Sequence, residues 1–192
     1  ADEYLSGNVR QKLQTARTYA ESHKEYAINV NALEQVQPKK LDAGEIEVRI
    51  GATWIEPGYI KDFMRDIFKT PQYLLDRGLI GVQFSPVTGG WHIEGKNQEM
   101  RNALVHSTYG TERANAYRIL EDSLNLRNTQ IFDTIEEDGK EKRVLNKRET
   151  TIASQKQEAI REAFKNWIFQ DQERRHTLIE KYNELFNSNR PR

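Results

Sequence analysis

The chain has 192 residues, with 29 Lys and Arg against 29 Asp and Glu, and no cysteine. That length is enough to bury a hydrophobic interior, and 3 Trp, 8 Tyr and 7 Phe argue against disorder despite an apolar fraction of only 36%. The missing cysteines exclude a disulfide scaffold, thiolate-bound zinc, iron–sulfur ligation and a cysteine nucleophile, and the zero net charge removes the simplest argument for a nucleic-acid binder.

In chain order, Ser6 can cap a first helix carrying Val9, Leu13, Ala16 and Ala20 at helical spacing. A second helix is expected over residues 26–36, ending before Pro38, because proline pushes its predecessor out of the helical region. Residues 41–46 fit a helical turn, and residues 45–50 alternate and fit a short strand equally well. Pro57 reads as a helix start, followed by the stripe Ile60, Phe63, Met64, Ile67 and Phe68. Pro71 opens another short helix that Gly78 ends. The period then changes to two: Ile80, Val82 and Phe84, a Gly89–Gly90 turn, then Trp91 and Ile93, a β-hairpin. Residues 103–108 read as a further strand, and Thr111 as the cap of a helix with Ala114, Tyr117, Leu120 and Leu124. Residues 131–135, the Asp138–Gly139 turn signal and residues 143–145 form a second hairpin. Residues 151–187 are helical throughout, with a break or change of face expected near the polar stretch 170–176. The expected fold is therefore α+β, mainly helical, with two short β-hairpins and a long C-terminal helical segment. It is read as a single domain over residues 1–192, with 151–187 as a helical extension.

The N-terminal residues lack the basic-then-apolar pattern expected of a secretory leader, and no apolar run is long enough to span a bilayer. The start without methionine and the polar end give the expectation of a piece excised from a longer, cytoplasmic protein.

Few constellations carry chemistry. The stretch from Gly90 to Asn97 matches the phosphate-binding loop G-x-x-x-x-G-K-[ST] except that Asn97 replaces the magnesium-ligating hydroxyl, and the bulky Trp91, His92, Ile93 and Glu94 alternate like a strand. His92-Ile93-Glu94 matches the H-x-E half of a zinc deaminase, whose partner motif needs cysteines. His23, His106 and His176 are scattered, and Ser107 beside His106 lacks a nucleophile-elbow context. The carboxylates Glu45 and Glu47, and Glu136, Glu137 and Asp138, read as solvated surface charge. No catalytic, cofactor-binding or metal-ligating residue is assigned. One cluster stands out: Lys140, Lys142, Arg143, Lys147 and Arg148, with only Glu141 opposing them. A basic hairpin of this kind can lie along a phosphate backbone, and it can equally be an edge strand guarded by lysines. The aromatic helix face of Phe164, Trp167, Ile168, Tyr182 and Phe186 reads as core or as a docking face.

Several phrases resemble a known neighbourhood: Glu3-Tyr-Leu-Ser-Gly-Asn-Val-Arg-Gln-Lys-Leu13, Leu33-Glu-Gln-Val-Gln-Pro38, Ile46-Glu-Val-Arg-Ile-Gly-Ala-Thr-Trp-Ile55, Thr108-Tyr-Gly-Thr111, Ala116-Tyr-Arg-Ile-Leu-Glu-Asp-Ser-Leu-Asn-Leu126 and Tyr182-Asn-Glu-Leu-Phe-Asn187. They resemble a segment of very large bacterial proteins of phages and conjugative elements, which join an adenine-specific DNA methyltransferase to a Swi/Snf-like superfamily-two helicase. The resemblance implies a non-catalytic module between those domains, with the two neighbouring domains and DNA as partners, and with 151–187 leading toward the helicase. S-adenosylmethionine, ATP and magnesium would belong to the parent, and no cofactor to this segment. The methylase Pro-Pro motif, a functional Walker A loop and a DEAD-type box are all absent, so no catalytic residue carries over. The alternatives are a protein-docking module without DNA contact, and an independent phosphate-binding enzyme working through Gly90 to Asn97.

Overall fold

A computed structural model describes residues 2–191. Its elements are α1 (Val9–Ser22), a 3₁₀ turn (Lys24–Tyr26), α2 (Ala27–Gln35), α3 (Pro57–Ile67), α4 (Gln72–Asp76), β1 (Gly81–Ser85), β2 (Gly90–Glu94), a π-helical turn (Leu104–Thr108), α5 (Ala116–Leu124), β3 (Phe132–Glu137), β4 (Lys140–Leu145), α6 (Lys147–Trp167) and α7 (Gln172–Phe186). This is the α+β class, with two separate antiparallel hairpins, β1–β2 and β3–β4. No helix among the described residues is long and apolar enough to cross a membrane.

The chain forms two compact units. The first joins the residues up to Glu47 to those from Asp171 onward, and the second is Val48–Gln170. Each unit has its own apolar centre, and apolar periodicity alone does not say which centre a helix face joins.

In the first unit Val9, Leu13, Ala16 and Leu33 form a small core, with Leu5, Val30 and Val36 packed on it. Asn8 caps α1, its Oδ1 accepting from the Gln11 amide at 3.1 Å. Ser6, expected in that role, is buried and donates instead to the Glu3 carbonyl. Residues from both ends of the chain meet here. Gly7 and Arg190 exchange both backbone hydrogen bonds, at 2.9 and 2.8 Å, and Arg10 donates to the Asn187 carbonyl at 2.7 Å. On α7, Asn183 and, one turn on, Asn187 at its C-terminal end grip the extended segment after Pro38. Asn183 accepts from the Leu41 amide and donates to its carbonyl, and Asn187 donates to the Lys39 carbonyl. The helical segment therefore breaks after Trp167. Asp171 caps α7, accepting from the Arg174 amide, and α7 joins the N-terminal helices in place of continuing α6. The break falls at the start of the stretch 170–176 where it was expected, and from Gln172 onward that stretch is helical.

The second unit is centred on Phe63. Its ring meets Phe68, Phe164 and Trp167 edge-on at 5.4–5.5 Å, the preferred geometry for aromatic quadrupoles. Phe164, Trp167 and Ile168 are thus core, whereas Phe186 on α7 is exposed. Pro57 occupies the first position of α3, as its missing N–H favours.

In β1–β2, Val82 faces Ile93 and Phe84 faces Trp91. The outer edge of β2 is covered by α5 and its C-cap. The Asn125 side-chain amide accepts from the Trp91 N–H at 2.7 Å and donates to its carbonyl at 2.9 Å, and Glu121, one turn earlier, accepts from the Ile93 N–H at 2.7 Å. Edge groups satisfied in this way are not open to stray strands.

Three local expectations are revised. Residues 103–108 are not a strand: Asn102 accepts from the Leu104 amide and starts a π-helical turn in which only Val105 is buried. Thr111 does not cap α5. Its hydroxyl closes a turn by accepting from the Arg113 and Ala114 amides, and Asn115 caps the helix. In residues 45–50, Ile46, Val48 and Ile50 are buried alternately, yet the segment pairs with no strand among the described residues.

Candidate nucleic-acid interface

The β3–β4 hairpin is built from its turn outward. Asp138 (φ 53°) and Gly139 (φ 74°) both take left-handed backbone, the two-residue turn that Asp-Gly favours because its twist matches that of the strands. The register then runs Glu137↔Lys140, Glu136↔Glu141, Ile135↔Lys142, Thr134↔Arg143, Asp133↔Val144 and Phe132↔Leu145.

The base of this arm is firmly held. Arg113 bonds the Asp133 carboxylate at 2.7 Å and the Phe132 carbonyl at 2.9 Å. Asn146 caps α6 by accepting from the Glu149 amide, and its side-chain nitrogen donates to Asp133 at 2.9 Å. The Arg113 hydrogen bond, then that of Asn146, holds the Asp133 carboxyl below the usual carboxylate range. The buried Ile131 backbone is bonded by the Thr150 hydroxyl and by the Asn146 backbone N–H. Beyond its base the arm is exposed on both faces.

Strand alternation divides the five basic residues. Lys140 and Lys142 share a face with Asp133, Ile135 and Glu137, and Lys142 lies 3.4 Å from the Glu137 carboxylate. Arg143 is on the opposite face, its guanidinium 3.8 Å from the centre of the Phe132 ring, a cation–π contact. That face also sets Glu136 directly against Glu141. Lys147 and Arg148 lie in the exposed first turn of α6. The arm from Asp133 to Leu145 carries five carboxylates against three cations, so its basic character depends on the two α6 residues.

The other sequence candidates find simple places. Gly90 to Glu94 is the strand β2, not a loop before a helix, and Trp91 and Ile93 are buried. The Lys96 ammonium donates to the Ile93 carbonyl at 2.9 Å and pairs with Glu121 at 2.7 Å. This stretch therefore does not form a phosphate cradle. His92 pairs with Glu94 at 3.0 Å and with Glu121 at 3.4 Å, and no group of three metal-ligating side chains occurs among the described residues. His106 bonds the Glu99 carbonyl at 2.6 Å, and His23 meets the Tyr26 ring edge-on.

A buried polar hub was not visible in the sequence. The Tyr117 hydroxyl donates to Glu99 at 2.6 Å and lies 2.7 Å from the Thr70 hydroxyl, while Asn102 donates both to Glu99 and to the Phe68 carbonyl. Burial, then the Glu99 bond, pushes the Tyr117 phenol well above its ordinary value. Tyr117 stands 18 positions from Glu99 and 47 from Thr70, with no local motif to mark them.

These features define an α+β module with a clamped hairpin arm. The chain belongs to the family described as Domain of unknown function (DUF8437), whose profile matches residues 49–188. The match begins one residue after the start of the second unit and takes in α7 of the first. No curated protein and no solved structure matches the chain.

Proposed function

We propose that this chain is a non-catalytic, cytoplasmic module connecting the domains of a DNA methyltransferase–helicase protein. The observation that carries the reading is the paired backbone of Gly7 and Arg190. The pairing fixes two distant segments of the first unit side by side, a set surface on which a neighbouring domain can rest. The phrases from Glu3 to Asn187 that resemble the methyltransferase–helicase segment support the same reading. S-adenosylmethionine, ATP and magnesium would then serve the neighbouring domains.

Within this reading, DNA contact falls to Lys140, Lys147 and Arg148, which are exposed and make no ion pair among the described residues, with Lys142 and Arg143 beside them. A docking role without DNA is favoured by one specific observation, the five carboxylates of the arm. A salt titration of duplex and single-stranded DNA binding separates the two. If the arm contacts DNA, binding falls with salt, and neutralising Lys140, Lys147 and Arg148 flattens the slope by about one unit per lost phosphate contact. No binding at the lowest salt, or an unchanged slope, removes DNA from the role and leaves docking.

A further inference from the structure

The two edges of the β3–β4 arm are not equivalent. The Asn146 N–H bonds the Ile131 carbonyl at 2.8 Å, which sets the alternation along the ladder. The closely bonded pairs that follow are Asp133 with Val144, Ile135 with Lys142 and Glu137 with Lys140. The residues between them turn their backbone N–H and carbonyl groups outward. On β3 these are Phe132, Thr134 and Glu136, and the Phe132 carbonyl is already taken by Arg113 at 2.9 Å. On β4 they are Glu141, Arg143 and Leu145, all exposed, and their outward groups make no hydrogen bond among the described residues. The β4 edge is therefore an open template for another strand, on a two-stranded ribbon of the kind that is only marginally stable alone.

Charge selects the strand. Glu141 faces Glu136 across the hairpin, Arg143 lies over the Phe132 ring, and neither makes an ion pair among the described residues. A uniformly acidic strand or a phosphate backbone laid on this edge would suit Arg143 and oppose Glu141. A second copy of β4 satisfies both. Laid antiparallel with the twofold axis at Lys142, it sets each Glu141 opposite Arg143 of the other copy. Both are outward residues, so each such pair exchanges both backbone bonds as well as charge. An axis at Glu141 or at Arg143 would set that residue against itself, and one at Val144 would carry Glu141 past the strand to the start of α6. The Lys142 axis does bring two Lys142 side chains together, but each ammonium lies 3.4 Å from the Glu137 carboxylate of its own hairpin, which offsets their repulsion. The β3 edge has no comparable register, because it carries Asp133, Glu136 and Glu137 and no cation. We propose that the chain forms a twofold dimer through the β4 edge, joining two arms into one four-stranded antiparallel sheet. The proposal does not depend on the DNA-linked reading above.

The test is sedimentation equilibrium of the full chain from roughly 10 μM to 1 mM, the range in which a small interface associates, together with amide hydrogen exchange. The mass should rise with concentration from 22.5 kDa toward twice that value, and the amides of Glu141 and Arg143 should gain protection as it does. Glu141→Lys and Arg143→Glu each set like charges across the axis, and each alone should weaken association about tenfold or more. Mixed in equal amounts, the two variants restore opposite charges at both crossings and should regain the parent's association. The proposal is overturned if the chain stays monomeric at about 1 mM, if a dimer forms without protecting Glu141 and Arg143, or if each variant associates as the parent does. It is also overturned if mixing gives no recovery while the amides of Lys142 and Val144 stay protected in both variants. Protection of Glu141 and Arg143 by an acidic peptide or duplex DNA, in a chain that stays monomeric, would replace the second copy as the occupant and overturn it too.

Discussion

Replacing Tyr117 by phenylalanine removes one oxygen from the interior of the second unit and tests whether the hub with Thr70 and Glu99 holds that unit together. The side chain is fully buried, and its ring meets Phe68 edge-on at 5.8 Å, so phenylalanine keeps the packing. Two hydrogen bonds disappear. The one to the Glu99 carboxylate, at 2.6 Å, is charge-assisted and worth about 1.5–3 kcal/mol. The other leaves the Thr70 hydroxyl, 2% exposed, without a partner, at a cost of about 1 kcal/mol or more. Glu99 keeps its bond from Asn102, which limits the loss. The sum is about 2–4 kcal/mol. All three tryptophans, Trp54, Trp91 and Trp167, lie in the second unit, so urea unfolding followed by tryptophan fluorescence reports on that unit. Thr70→Val in the Tyr117→Phe background should cost less than in the parent, since the hydroxyl is then already orphaned. A Tyr117→Phe variant within about 0.5 kcal/mol of the parent, the range of ordinary surface substitutions, would refute the argument.

The same tyrosine gives a pH dependence. Its folded pKa is raised, so its contribution is intact below the ordinary phenol pKa of about 10 and is lost as pH rises beyond it, because only the unfolded chain then ionises. The Tyr117→Phe variant should lose this alkaline sensitivity in stability measured at a series of pH values. Asp133 behaves oppositely. Its folded pKa is depressed, so what it contributes is present above the ordinary carboxylate range and is lost as pH falls through the folded value, and acid should loosen the base of the arm in hydrogen exchange at residues 131–133 before the second unit unfolds. Glu141→Lys replaces a like-charged cross-strand pair with an opposite one and should stabilise the arm by about 0.2–1 kcal/mol, read from thermal denaturation. It should also steepen the salt slope of DNA binding if the arm contacts phosphate. Gly95→Ala drives a Cβ into the Leu79 carbonyl, far inside contact distance, at a φ of +73°, so thermal denaturation should show a loss of about 3 kcal/mol or more, and a near-neutral result would contradict the turn geometry.

Local periodicity made much of this fold legible. The stripe from Ile60 to Phe68 is a helix with a buried face, and the alternation on either side of Gly89–Gly90 is a hairpin with Phe84 against Trp91. Asp138–Gly139 fixed the second turn because few residues tolerate two successive left-handed positions. The grouping of α7 with the N-terminal residues was hidden because the apolar positions of α6 and α7 look alike, although Phe164 of α6 packs on Phe63 while α7 is tied to the residues before Glu47 by polar contacts. The basic cluster was legible only as a run along the chain. Strand alternation puts Lys142 and Arg143 on opposite faces, and the register brings the acidic β3 alongside, neither of which a count from Lys140 to Arg148 contains. The Tyr117 hub was illegible because its partners meet only through tertiary packing.

The side-chain clamps tie these observations to function. A helix that grips an extended backbone replaces a strand partner with groups such as Asn125 and Asn183, each satisfying both an N–H and a carbonyl of one residue. Such a grip reads the backbone and leaves the held residue's side chain free, so the same geometry can hold segments of different sequence. Inside the chain it closes β2 against further pairing and binds the Lys39–Leu41 segment to α7, within the same unit that pairs Gly7 with Arg190. The paired backbone segments of the first unit and the clamped arm of the second are each held by bonds inside their own unit, so each keeps a fixed surface.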